Sequence, residues 1–146
     1  MSNRPADGYA AWTEAGDRVS ALCLRMGFWV PLLLCTWLAL TPSPPESVFR
    51  VSDILLHGFA FAYLTFALGL AHGSLRPWAV VAWMLGYGVL IELVQSFEPS
   101  RAAELKDLLV DCAGIAVGLL LLIAFGAWSR RLLRSLIGLA LPVARD

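Results

Sequence analysis

Charged residues are scarce in this chain. Asp, Glu, Lys and Arg make up 15% of its 146 residues, and their formal charges cancel. A soluble domain of this size carries far more charged surface, while 59% of these residues are hydrophobic and the mean hydropathy is +0.72. The class that remains is an integral membrane protein. Neutral balance, with basic residues scattered or flanking apolar runs, also argues against a nucleic-acid partner. Cysteine is equally sparse. Cys23, Cys35 and Cys112 have no zinc or redox spacing, and an odd number cannot pair completely, so they read as small apolar residues. No cofactor motif occurs, and no cofactor is expected.

What the chain does have is four apolar runs. Residues 1–20 form a polar N-terminal segment, expected to fray or lie on a surface. The runs are Ala21–Leu40, Ile54–Ala71, Trp78–Phe97 and Leu108–Trp128, each near the about 20 residues needed to cross a hydrocarbon core. The first is interrupted by Arg25 and stops at the prolines of TPSPP, Thr41 to Pro45. Its long polar leader and the lack of a clear small-residue cleavage site disfavour a signal peptide. The expected fold is therefore all-α, a bundle of four transmembrane helices over residues 21–128. Residues 129–146 are a basic amphipathic tail. Arg130, Arg131 and Arg134 share one side of it, so it reads either as an interfacial helix on anionic lipid or as a cationic stop-transfer flank.

Four spans put both termini on one side, with Arg4, Arg18, Arg25, Arg76, Arg130, Arg131, Arg134 and Arg145; the other side has Arg50, Arg101 and Lys106. The positive-inside rule places the termini in the cytoplasm and the first and third loops outside, in a bacterial inner membrane.

Polar residues then converge on the outer ends of the helices. Asp53 and His57 stand at i, i+4 at the start of the second helix. Glu92 and Gln95 share a face near the end of the third, with Gly88 one turn before Glu92. Asp107 and Asp111 open the fourth, and Gly114 and Gly118 continue their stripe, a spacing that permits close helix contact. Tyr63 lies deeper on the second helix, where its hydroxyl could join the network or find a carbonyl. A carboxylate in a membrane helix costs roughly 2.5–3.5 kcal/mol on insertion scales, so its presence calls for a partner, a use, or both. The blander reading of Glu92 is a helix–helix tie; the sharper one is an outward-facing polar pocket.

These residues resemble the VanZ-like family of polytopic membrane proteins. The matching stretches are SDILLHGFAFAYL (Ser52 to Leu64), GYGVLIELVQSFEPSR (Gly86 to Arg101) and KDLLVDCAGIAVG (Lys106 to Gly118). Family positions carried over are Asp53, His57, Tyr63, Glu92, Gln95, Arg101, Asp107, Gly114 and Gly118. Two positions depart: Ile54 stands where the family often has lysine, and Asp111 where it often has asparagine. Both make the site more acidic. The resemblance implies envelope biology and glycopeptide (teicoplanin) tolerance for some members, and no established reaction.

The expectation is a pocket that binds, or acts on, the head group of an envelope lipid or lipid-linked cell-wall precursor. In a catalytic version Glu92 or Asp111 is the general base and His57 the acid or proton shuttle. Arg101 holds a phosphate or carboxylate by its planar fork, with Gln95, Asp53, Asp107 and Tyr63 lining the site. Asp53, Asp107, Asp111, Glu92 and His57 could also hold Mg²⁺ or Ca²⁺, although no motif fixes a metal. The alternative is a non-catalytic scaffold or binding protein that limits antibiotic access to surface targets. Neither the residues nor their spacing decide whether a reaction is catalysed, and they leave the oligomeric state open.

Overall fold

The computed structural model describes residues 4–41, 53–97 and 105–140, with side chains described over 13–41, 55–97 and 107–140. Among the described residues four α-helices follow one another: α1 (Arg4–Leu40), α2 (Asp53–Ala71), α3 (Pro77–Gln95) and α4 (Leu105–Ala140). Among the described residues there is no strand. α1 ends at Leu40, just before the prolines, and α3 opens with Pro77 at its first helical position, where a missing N–H costs nothing. The α2–α3 connection is only residues 72–76, so these two helices are antiparallel neighbours.

Among the described residues three helices are long and apolar enough to cross a membrane: Thr13–Leu40, Pro77–Gln95 and Asp107–Ala140. The shorter apolar helix Leu55–Ala71 belongs to α2. α2 makes its most extensive contact with α4 and also packs against α1 and α3. The core is Phe28, Leu32, Phe61, Leu64, Leu68, Val80, Met84 and Ile115, contributed by all four helices. Outside it, large apolar side chains such as Leu33, Trp37, Phe59, Leu90, Leu120 and Ile123 are exposed around the bundle. A water-soluble monomer does not tolerate apolar surface of that extent, whereas acyl chains solvate it.

Close approach of α2 and α4 rests on small residues. A β-carbon on Gly114 would lie 2.6 Å from the carbonyl oxygen of Gly58, and one on Gly118 would overlap the carbonyl of Ala62. With no hydrophobic drive between helices in lipid, this backbone-to-backbone packing is what dispersion can use.

α1 contains Pro31, which has no N–H to give the carbonyl of Gly27, four residues back. The hydroxyl of Tyr63 on α2 donates to that oxygen at 2.7 Å. Further out, the Gln95 side-chain amide donates to the carbonyl of Ala39 at 2.9 Å, in the last turn of α1 where carbonyls have no helical partner. Between them Thr36 donates to the carbonyl of Leu32 at 2.8 Å, which uses its one hydrogen. The 3.0 Å contact between Thr36 and Tyr87 is therefore donated by the tyrosine. These three interhelical hydrogen bonds tie α1 to α2 and α3.

The polar segment is helical from Arg4 and continues into the first apolar run without a break. Over Ser129–Ala140 the basic tail is helical too, continuous with α4. His72 packs edge-on against Phe28 and Trp29, with ring centroids 6.2 and 6.4 Å away. Trp83 joins the same aromatic group, its ring centroid 5.5 Å from that of Phe28 and its ring stacked on Tyr87.

Candidate functional site: a histidine–aspartate pair between α2 and α4

His57 lies in the second turn of α2, and Asp111 two turns into α4. Because the two helices run parallel with Gly58 against Gly114, residues near their starts come level. His57 Nδ1 is 3.0 Å from Asp111 Oδ1. Asp111 is 2% exposed by side chain and His57 18%, so the acid is sealed in the interface and the imidazole reaches its edge. As a carboxylate Asp111 only accepts, which puts the hydrogen of this contact on Nδ1.

α3 completes the enclosure. A β-carbon on Gly88 would meet Asp111 Oδ2 at 3.1 Å and the ring of Phe61 at 3.3 Å. Any larger residue at 88 would crowd the second carboxylate oxygen. α3 and α4 run in opposite directions, so Glu92, one turn after Gly88, comes level with Asp107, one turn before Asp111. Glu92 is half-buried and Asp107 buried. Three helices thus bring an imidazole and three carboxylates to the same end of the bundle.

Burial of Asp111 has an energetic consequence. An interhelical hydrogen bond in a membrane returns about 0.6 kcal/mol on average and about 1.7 at most. Against roughly 2.5–3.5 kcal/mol for an aspartate within a span, the bond to His57 does not by itself offset the insertion cost.

Other expected site residues are placed differently. Gln95 is buried, and its amide goes to the end of α1. Tyr63 directs its hydroxyl to Gly27, six residues along α2 from His57 and towards α1. The structure therefore does not bring Gln95 or Tyr63 to the His57–Asp111 pair. Asp53 begins α2, with its side chain outside the described residues; Arg101 lies outside them altogether, as do Glu104 and the side chain of Lys106. Among the described residues, no three His, Cys, Asp or Glu side chains converge as metal ligands.

Sequence reasoning passed over Thr36, Tyr87 and the carbonyl of Gly27, and it saw Arg130 only as part of the basic tail. For the last there was a signal, since Pro31 inside an apolar run always frees the carbonyl four residues before it. Arg130 donates to the carbonyl of Gly69 at 3.4 Å, setting a cation at the C-terminal end of α2 where the helix dipole favours one.

The family model for VanZ/LLP1 matches residues 20–126. The chain belongs to the VanZ/LLP1 family. No curated protein and no solved structure matches it. The VanZ/LLP1 region takes in the apolar part of α1, all of α2 and α3, and α4 as far as Gly126. It therefore contains His57, Gly88, Glu92, Asp111, Gly114 and Gly118, and leaves out the polar start of α1 and about the last four turns of α4. As a VanZ/LLP1 member with apolar helices long enough to span, this is a multi-pass membrane protein.

Proposed function

We propose that this VanZ/LLP1 protein binds, or acts on, the head group of an envelope lipid or lipid-linked cell-wall precursor. The site is a polar pocket that opens to the outer face of the bacterial inner membrane. The observation that carries the reading is the buried His57–Asp111 pair, at 3.0 Å, one helical turn from the level of Glu92 and Asp107. A buried ionisable residue within a membrane helix is a functional-site candidate by default, and Asp111 is 2% exposed. His57 in this reading exchanges a proton with the bound group, Asp111 fixes its ring, and Glu92 is the candidate base. Asp53 and Asp107 line the site, and Arg101 holds phosphate or carboxylate. Arginine distribution supports the orientation, with the termini cytoplasmic. Glycopeptide tolerance, teicoplanin in particular, is the phenotype that the family resemblance implies.

The second reading is a non-catalytic scaffold or binding protein that limits antibiotic access to surface targets. What favours it is the use of Gln95, Tyr63 and Tyr87 as ties to α1 and not as site groups. Glu92→Gln separates the two, because it keeps shape and removes the base: an enzyme loses function and a scaffold keeps it. Head-group binding itself is tested by native mass spectrometry of the purified protein with added phosphatidylglycerol or undecaprenyl-linked precursor. Wild type should retain the lipid and Asp111→Leu should not; equal retention by both would refute the pocket.

A further inference from the structure

The apolar faces of the four helices do not have the same length. On α1 the exposed stripe runs from Val19 through Leu22, Met26, Leu33 and Trp37 to Leu40, about 32 Å at 1.5 Å per residue. That matches a hydrocarbon core of about 30 Å. On α4 the exposed apolar residues begin at Leu109 and end at Leu139, about 45 Å by the same rise. Most of the excess lies at the C-terminal end.

The Asp17–Arg134 pair, 3.6 Å apart, fixes how the two helices line up there. At and beyond Asp17 α1 is polar on its exposed side, with Glu14, Asp17 and Arg18. Beyond Arg134, α4 still presents Leu136 at 54% and Leu139 at 83% exposure. One helix has left the hydrocarbon while its neighbour continues to show leucine. With Trp128 and Leu132 these leucines form one stripe at i, i+4, i+8, i+11. Arg131 and Arg134 flank it, and Leu133 and Ile137 lie on the more buried side. α4 has no acidic residue after Asp111.

We propose that the end of α4, from Trp128 to Ala140, docks in the head-group layer on the side of the termini. Its leucine stripe enters the acyl boundary, and Arg131 and Arg134 bind the phosphates of acidic phospholipids. Charge selects this occupant. A second copy seated on the same stripe by two-fold symmetry would set arginines against arginines with no carboxylate on α4 to neutralise them. An acidic bilayer surface supplies both the apolar and the anionic half of the match. The Asp17–Arg134 pair is well exposed on both sides and therefore weak, so lipid phosphate can replace Asp17 as the partner of Arg134.

The test uses the full chain with Cys23, Cys35 and Cys112 replaced by Ala, and Leu139→Cys carrying a polarity-sensitive dye. It is reconstituted in vesicles of phosphatidylcholine alone or equimolar with phosphatidylglycerol. The expected result is a blue-shifted dye in the acidic vesicles, reversed towards the phosphatidylcholine value by high salt. Arg131→Gln and Arg134→Gln should each weaken the docked population by roughly fivefold, the effect of one cation at an anionic surface. Asp17→Asn should strengthen it. A dye equally wet in both vesicles overturns the proposal. So does Leu136→Cys cross-linking between copies with no dependence on acidic lipid, which would make a second copy the occupant. All these positions are exposed, so circular dichroism and gel filtration of each variant should match the parent.

Discussion

His57 and Asp111 lie 54 positions apart in the chain and 3.0 Å apart in the fold, and glycine is the reason they can meet. Gly58 and Gly114 bring the helix backbones together just below the pair, and Gly88 leaves room for the second carboxylate oxygen. Much of this was legible. The i, i+4 spacings and the shared depth pointed to His57, Asp111 and Gly88, because helix periodicity and span length fix which residues come level. Gln95 was not legible as an end-cap for α1, nor Tyr87 as a donor to Thr36, because those partners depend on how α1 packs. Nothing in a local pattern specifies that. At Gly114 the geometry makes a direct prediction. Gly114→Leu places a side chain against the carbonyl of Gly58 and should cost about 1–3 kcal/mol as overpacking. The measurement is retention of the monodisperse protein on heating in detergent; an unchanged melting temperature would mean α2 and α4 do not pack through this stripe.

At the scale of the element, α1 is the instructive helix. Pro31 breaks its hydrogen-bond ladder inside the span, and Tyr63 from α2 supplies the missing donor. Tyr63→Phe should therefore destabilise the bundle by about 0.6 kcal/mol, and by no more than about 1.7. In a Pro31→Ala background residue 31 has its own N–H for the carbonyl of Gly27, so the same substitution should cost much less. A double-mutant cycle in denaturant-titrated detergent micelles reads the difference, and equal costs in both backgrounds would show that Tyr63 does not serve the proline gap. The four apolar runs announced the helices themselves, but not their ends. A helical polar segment before Ala21 and the unbroken length of α4 were missed because apolar content marks where lipid lies, while helix continues wherever nothing stops it. No proline or glycine stands between Gly126 and Gly138 to end α4 at the expected boundary.

For the whole molecule, the bundle places three carboxylates and an imidazole at the end where α2 and α4 begin, and the arginine-rich tail at the other. Orientation turns this asymmetry into function. In a cysteine-free background Ser100→Cys should react with a membrane-impermeant thiol reagent in spheroplasts, and Ser74→Cys should not; the reverse pattern moves the site to the cytoplasm. The central claim, that the His57–Asp111 pair works and does not merely hold helices together, is tested most directly with His57→Asn. The side-chain amide can still donate to Asp111 Oδ1, so the helix tie survives while the titratable imidazole is lost. The measurement is the teicoplanin tolerance of a susceptible host expressing each protein, with membrane levels and detergent stability of the variant matched to wild type. The account predicts tolerance reduced to that of the empty host despite normal folding. Full tolerance from a normally folded His57→Asn protein would contradict it and leave the pair as a structural tie.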